Sequence, residues 1–135
     1  MASKYIVDTH ALIWYLESSS RLGLAAKAIL DDPASELVFP MIALAEAVDI
    51  VDKGRTKIAS VPILLNRVLN DPRIELLPFD LDTLQTSLLA RAVPEMHDRL
   101  IVAAGLLLQQ QGEKVAILTR DVSITTGALL PVIWN

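Results

Sequence analysis

Short apolar runs alternate along the chain with longer stretches whose apolar residues recur at helical spacing. Lys4 to Val7 reads as a first strand ending at Asp8, and Thr9 to Glu17 as a helix with Leu12, Ile13 and Leu16 on one side. Ser18, Ser19 and Ser20 break that helix. Leu22 to Asp31 is a second one, stopped by Pro33. Leu37 to Phe39 forms the next strand. Pro40 suits the start of a helix over Met41 to Lys53, which Gly54 ends. Ser60 to Asn70 is again helical, with Pro62 tolerated in the first turn. Ile74 to Leu77 is a strand, and Asp80 caps a helix running through Ala92.

The strongest helical signal opens at Met96-His97-Asp98-Arg99 and then carries no charge until Glu113. Pro94 and Gly112 bracket it as start and stop signals. Asp98 stands where this helix should begin, as an N-cap or as something more. Val115 to Leu118 is a fourth strand, Thr119 to Thr126 a polar turn, and Val132 to Trp134 a last short strand. Strands alternating with helices predict a single three-layer α/β domain over residues 1–135. Its sheet should be mostly parallel, with about five strands. Ligands of such sheets bind beyond the carboxyl ends of the strands.

Composition narrows the function classes. Hydrophobic residues make up 53% of the chain and charged ones 21%, so a charge inside an apolar run needs a reason. The absence of Cys excludes disulfides and thiolate metal sites. The longest apolar run is about a dozen residues, too short for a bilayer. The opening residues also lack the pattern of a secretory signal, so the expected location is the cytoplasm. A formal charge of −4 argues against attachment to nucleic acid through a basic surface alone. It leaves open an enzyme that meets a polyanion through a bound cation.

Of the 16 acidic residues, most flank helices, turns or solvated edges, among them Glu17, Glu75, Glu95 and Glu113. Four stand out. Asp8 ends the first strand and Asp121 follows the fourth, where the sheet rule puts a site. Glu46 lies inside Met41-Ile42-Ala43-Leu44-Ala45-Glu46-Ala47-Val48, where a carboxylate should be neutral, paired or on a metal. A salt bridge to Lys53 is its plain structural alternative. Asp98 opens the central helix. Gathered carboxylates repel one another, and a hard divalent cation removes that cost. Oxygen-only donors favour Mg²⁺ or Mn²⁺ over Zn²⁺.

Four segments carry a resemblance to the PIN-domain ribonucleases, and within them to the VapC-type toxins of toxin–antitoxin pairs. They are Ile6-Val7-Asp8-Thr9-His10-Ala11-Leu12-Ile13-Trp14; Ile42-Ala43-Leu44-Ala45-Glu46; Pro94-Glu95-Met96-His97-Asp98-Arg99-Leu100-Ile101; and Leu118-Thr119-Arg120-Asp121 with Val132-Ile133-Trp134. The resemblance implies that Asp8, Glu46, Asp98 and Asp121 are the family's acidic, catalytic and metal-holding residues. It also implies Mg²⁺-dependent cleavage of RNA, a homodimer, and inhibition by a small antitoxin protein. The chain departs from the family pattern at Ala43 and Ala45, where a Ser often stands, which leaves fewer hydrogen bonds to orient Glu46. After Asp121 only Ser123, Thr125 and Thr126 are available, so one firmly held ion is expected, nearest Asp8 and Asp98.

Thr9 is expected to cap its helix or support Asp8. His10 and His97 are expected to pack or to act behind the ligands, and Arg99 and Arg120 to touch phosphate or pair with acids. Helices Leu22 to Leu30 and Ile63 to Leu69 offer apolar faces for the dimer. A phosphatase using Asp8 as a covalent nucleophile would want a second Asp at the place of His10. The alternative from another class is a catalytically weak PIN-like module that binds RNA or protein.

Overall fold

The computed structural model describes residues 2–135. Five strands, β1 (Lys4–Val7), β2 (Leu37–Pro40), β3 (Ile74–Leu77), β4 (Val115–Leu118) and β5 (Val132–Ile133), form one sheet in the order β3-β2-β1-β4-β5. Every pairing is parallel. The helices are α1 (Thr9–Leu16), α2 (Leu24–Asp31), α3 (Met41–Asp52), α4 (Val61–Leu69), α5 (Leu81–Ser87), α6 (Met96–Gln110) and α7 (Val122–Gly127). The expected parallel α/β architecture is therefore present.

Its physical origin is direct. β2 and β4 are buried at every residue, so their side chains on both faces must be apolar. Chain order runs outward from β1 through β2 to β3, then returns to β4 and β5. Crossovers in such sheets are right-handed as a rule, and here α3 of the first half meets α6 of the second. Ile6, Leu30, Phe39, Leu64, Ile101 and Ile117 form the centre of the core, all essentially inaccessible. The strand order reverses between β1 and β4, and this is where open α/β sheets form a crevice.

Two elements differ from expectation. The segment read as a polar turn after β4 contains the helix α7: Asp121 caps it, and Ile124, buried, ties it to the core. The helix expected from Asp80 to Ala92 is α5 followed by a single 3-10 turn over Leu88–Ala90. The central helix α6 behaves as its pattern requires. Leu100 to Leu106 are buried without interruption, and Gly112, at φ +93, supplies the left-handed conformation that ends it. Among the described residues no helix is long and apolar enough to cross a membrane.

Candidate active site

Asp8 leaves the carboxyl end of β1 and caps α1. Its Oδ1 accepts from the Thr9 backbone N–H at 2.8 Å, and its Oδ2 from Thr119 Oγ1 at 2.6 Å. Thr119 is 1% exposed and stands just past β4, whose last residue Leu118 pairs with Val7. Strand register thus brings the ends of β1 and β4 side by side. Burial pushes the Asp8 carboxyl above its usual range, the Thr119 and Thr9 hydrogen bonds offset part of that, and Glu46 adds to it.

Glu46 projects from α3 towards the start of α1, where Thr9 Oγ1 donates to its Oε1 at 2.7 Å. The salt bridge to Lys53 does not form, because Lys53 pairs with Asp49 at 2.8 Å, one helical turn away. Thr9 thus supports Asp8 through its backbone and Glu46 through its hydroxyl. The latter supplies a hydrogen bond that Ala43 and Ala45 cannot.

Asp98 is not the N-cap of α6. Glu95 holds that position, accepting from the Asp98 N–H at 2.9 Å, so the Asp98 side chain is free of capping duty. Glu95 is thereby more than a solvated edge residue, and it also binds His97 Nδ1 at 2.8 Å. That contact raises the His97 imidazole. Asp98 is pushed up to about 7 by burial first, then by the charge and close approach of Asp121, then by Asp8. Burial also pulls at Asp121, but the Ser123 hydroxyl and the Ile124 and Ser123 N–H groups outweigh it and hold its carboxyl below the usual range.

The four sequence-marked acids therefore feel one another's charge in series: Glu46 acts on Asp8, Asp8 on Asp98, and Asp98 meets Asp121 directly. None makes an ion pair among the described residues. Arg99 donates instead to the Pro94 carbonyl at 3.3 Å, and Arg120 lies over the Trp14 ring, 4.5 Å from its centroid. Among the described residues no three His, Asp or Glu side chains already stand close enough to hold an ion. Unpaired, mutually repelling, oxygen-only donors nonetheless fit Mg²⁺ or Mn²⁺, and binding would draw them together.

A cleft of about 360 Å³ opens beside Asp8 and Asp121 and is walled by His10, Trp14, Arg120 and Trp134. Trp14, Thr119 and Trp134 carry no mark of a functional role in the sequence. Apolar and hydroxyl residues at strand ends look like ordinary core, and only the strand order brings these together.

An all-parallel sheet with an acidic rim where the strand order reverses defines a doubly wound α/β protein. The chain belongs to the PIN-domain family, whose model matches residues 5–125. Solved structures similar to it are toxin–antitoxin assemblies. A chain of VapBC2 from Rickettsia felis, bound to a promoter DNA fragment, is 13% identical with TM-score 0.68, covering 98% of this chain and 99% of that one. FitAcB from Neisseria gonorrhoeae is 18% identical with TM-score 0.66, covering 96% of each chain. A toxin–antitoxin complex from Klebsiella pneumoniae is 19% identical with TM-score 0.65, covering 96% of this chain and 95% of that one. No curated protein matches the sequence.

Proposed function

We propose that this protein is a metal-dependent endoribonuclease, the toxin of a toxin–antitoxin pair, working as a single domain over residues 1–135. PIN domains are typically nucleases and generally metal-dependent. The observation that carries the reading is the row of acids without ion-pair partners at the strand-order reversal, with Asp98 pushed up to about 7 by burial first and then by Asp121 and Asp8. Asp8, Glu46 and Asp98 would hold Mg²⁺ or Mn²⁺, with Asp121 completing the cluster or orienting the attacking water. When bound, the ion supplies charge neutralisation at the phosphate oxygens and a more acidic water.

The chain's own groups set the geometry. Thr119 Oγ1 and the Thr9 N–H fix both Asp8 oxygens, and Thr9 Oγ1 fixes Glu46. Asp121 Oδ1 takes the α7 donors, and the Asp121 carboxylate also meets the Asp98 carboxyl. No covalent intermediate is needed, and no Ser, Cys or His nucleophile is involved. Unpaired acids also suit an antitoxin tail that places an Arg or Lys among them. The similar structures are of VapBC2, FitAcB and a toxin–antitoxin complex, which supports such a partner.

Purified protein should cleave single-stranded RNA with Mg²⁺ or Mn²⁺ and stop on addition of EDTA. Cleavage that resists EDTA, or survives Asp98→Asn, would sink the metal assignment. A second reading, a PIN-like module that binds RNA or protein with little turnover, is favoured by the open spacing of the acids. Absence of cleavage at millimolar Mn²⁺, with RNA binding retained, would select it.

A further inference from the structure

We infer that the aromatic cleft beside the acids is a nucleobase subsite, which takes one unpaired base of the RNA strand next to the phosphate being cut. The inference rests on the ribonuclease reading and deepens it.

The volume, about 360 Å³, falls within the roughly 300–1,000 Å³ of small-molecule pockets. Its walls are flat π-surfaces. Trp14 meets Trp134 edge-on at 6.0 Å between centroids and 63° between planes, and His10 leans on Trp14 at 5.5 Å. Arg120 is exposed and lies over Trp14, while Trp14 itself is only 8% exposed. The face offered to a ligand is therefore the guanidinium plane together with the imidazole and the Trp134 indole. Unpaired bases stack on such groups, and a guanidinium can also donate to base edges or phosphate.

The walls are held before any ligand arrives. His10 and Trp14 lie one turn apart on α1. Trp134 is pinned through its carbonyl, which accepts from the Ala26 N–H at 3.1 Å. Residue 23 must be glycine for this, because a Cβ there would fall 2.0 Å from the Trp134 carbonyl oxygen. The cleft shares Asp8 and Asp121 with the acid row, so an occupant lies directly beside the phosphate position. That continuity favours a base of the substrate over an unrelated small molecule.

The chain has two tryptophans and both flank this cleft, so intrinsic emission reports on it directly. The full chain is titrated in EDTA with short single-stranded RNA, and with the same oligomers made abasic at one position after another. We expect quenching by the intact RNA. Loss of the one seated base should weaken affinity roughly five- to a hundredfold. Arg120→Ala, and independently Trp134→Leu, should abolish that base-dependent difference. Abasic oligomers binding as tightly as intact ones at every position would overturn the subsite. So would quenching by an Arg-bearing peptide but not by RNA. A separate cleavage assay with Mn²⁺ keeps the two proposals apart. Cleavage without base-dependent quenching removes the subsite alone, and base-dependent quenching without cleavage removes the nuclease reading alone.

Discussion

Asp98 loses water to burial and faces Asp121 and Asp8, charges of its own sign, so its carboxyl titrates near 7. A carboxyl raised in the folded state binds more protons than the unfolded chain does, so stability falls as pH rises from about 4 towards 7. Asp98→Asn should therefore stabilise the metal-free protein above pH 7 and less at pH 5. Since the side chain is only half-buried, solvent screening leaves a gain of about 1 kcal/mol. That corresponds to roughly 3–5 °C in melting temperature. Melting curves in EDTA and in millimolar Mn²⁺ check this, with the variant losing the metal-induced rise. Thr119→Val keeps the shape of the side chain but strips Asp8 of its 2.6 Å donor. It should cost about 1–3 kcal/mol, lower the Mn²⁺ response, and be largely repaired by Thr119→Ser. Denaturant unfolding of both variants measures it. At this scale the four acids were legible because each is an isolated charge in an apolar or strand-end setting. Thr119, Trp14 and Trp134 were not, because a threonine or tryptophan beside a strand carries no such contrast.

Elements with strong local signals came through: β1 to β4, α1, α3, α4 and α6 stand within a few residues of where periodicity puts them. α7 did not, and the reason is energetic. Val122-Ser123-Ile124-Thr125-Thr126 is poor in helix formers, and the helix exists because Asp121 caps it and Ile124 buries. Asn caps about as well as Asp, whereas Ala costs about 1 kcal/mol. Asp121→Asn should therefore leave the cap of α7 nearly intact, while Asp121→Ala lowers the melting temperature by roughly 3–5 °C. Both should reduce RNA cleavage. Calorimetric melting set beside a cleavage assay separates the cap from the chemistry. The start of α6 was misplaced for a related reason: Glu95 and Asp98 both suit a helix start, and only the 2.9 Å contact assigns the cap to Glu95.

For the whole molecule, alternation in the sequence gave a parallel sheet but no strand order, since pairing depends on crossovers that leave no local trace. Apolar surface was equally hidden. On α2, Ala26 and Leu30 face the core, and on α4 Leu64 and Val68 do. Leu24 on α2 and Ile63 and Leu69 on α4 stay exposed, and a further exposed apolar row runs along α5 and the turn after it, where Leu81, Leu84, Leu88 and Leu89 are 49–64% exposed. We propose the row along α5 as the contact of the homodimer that the family resemblance implies. Leu84→Asp with Leu88→Asp should leave the fold intact and give a monomer at micromolar concentration, as read by light scattering. The central position of β1 has a consequence for synthesis. The hydrogen bond from Thr119 to Asp8 spans 111 positions in the sequence. At about 5–20 residues per second, a ribosome needs roughly 5–20 s between making one partner and the other. For most of that interval Asp8 exists without Asp98, and throughout it without Asp121, on a chain still attached to a machine built of RNA. Translation order thus leaves the row of acids incomplete until Asp121 has been made.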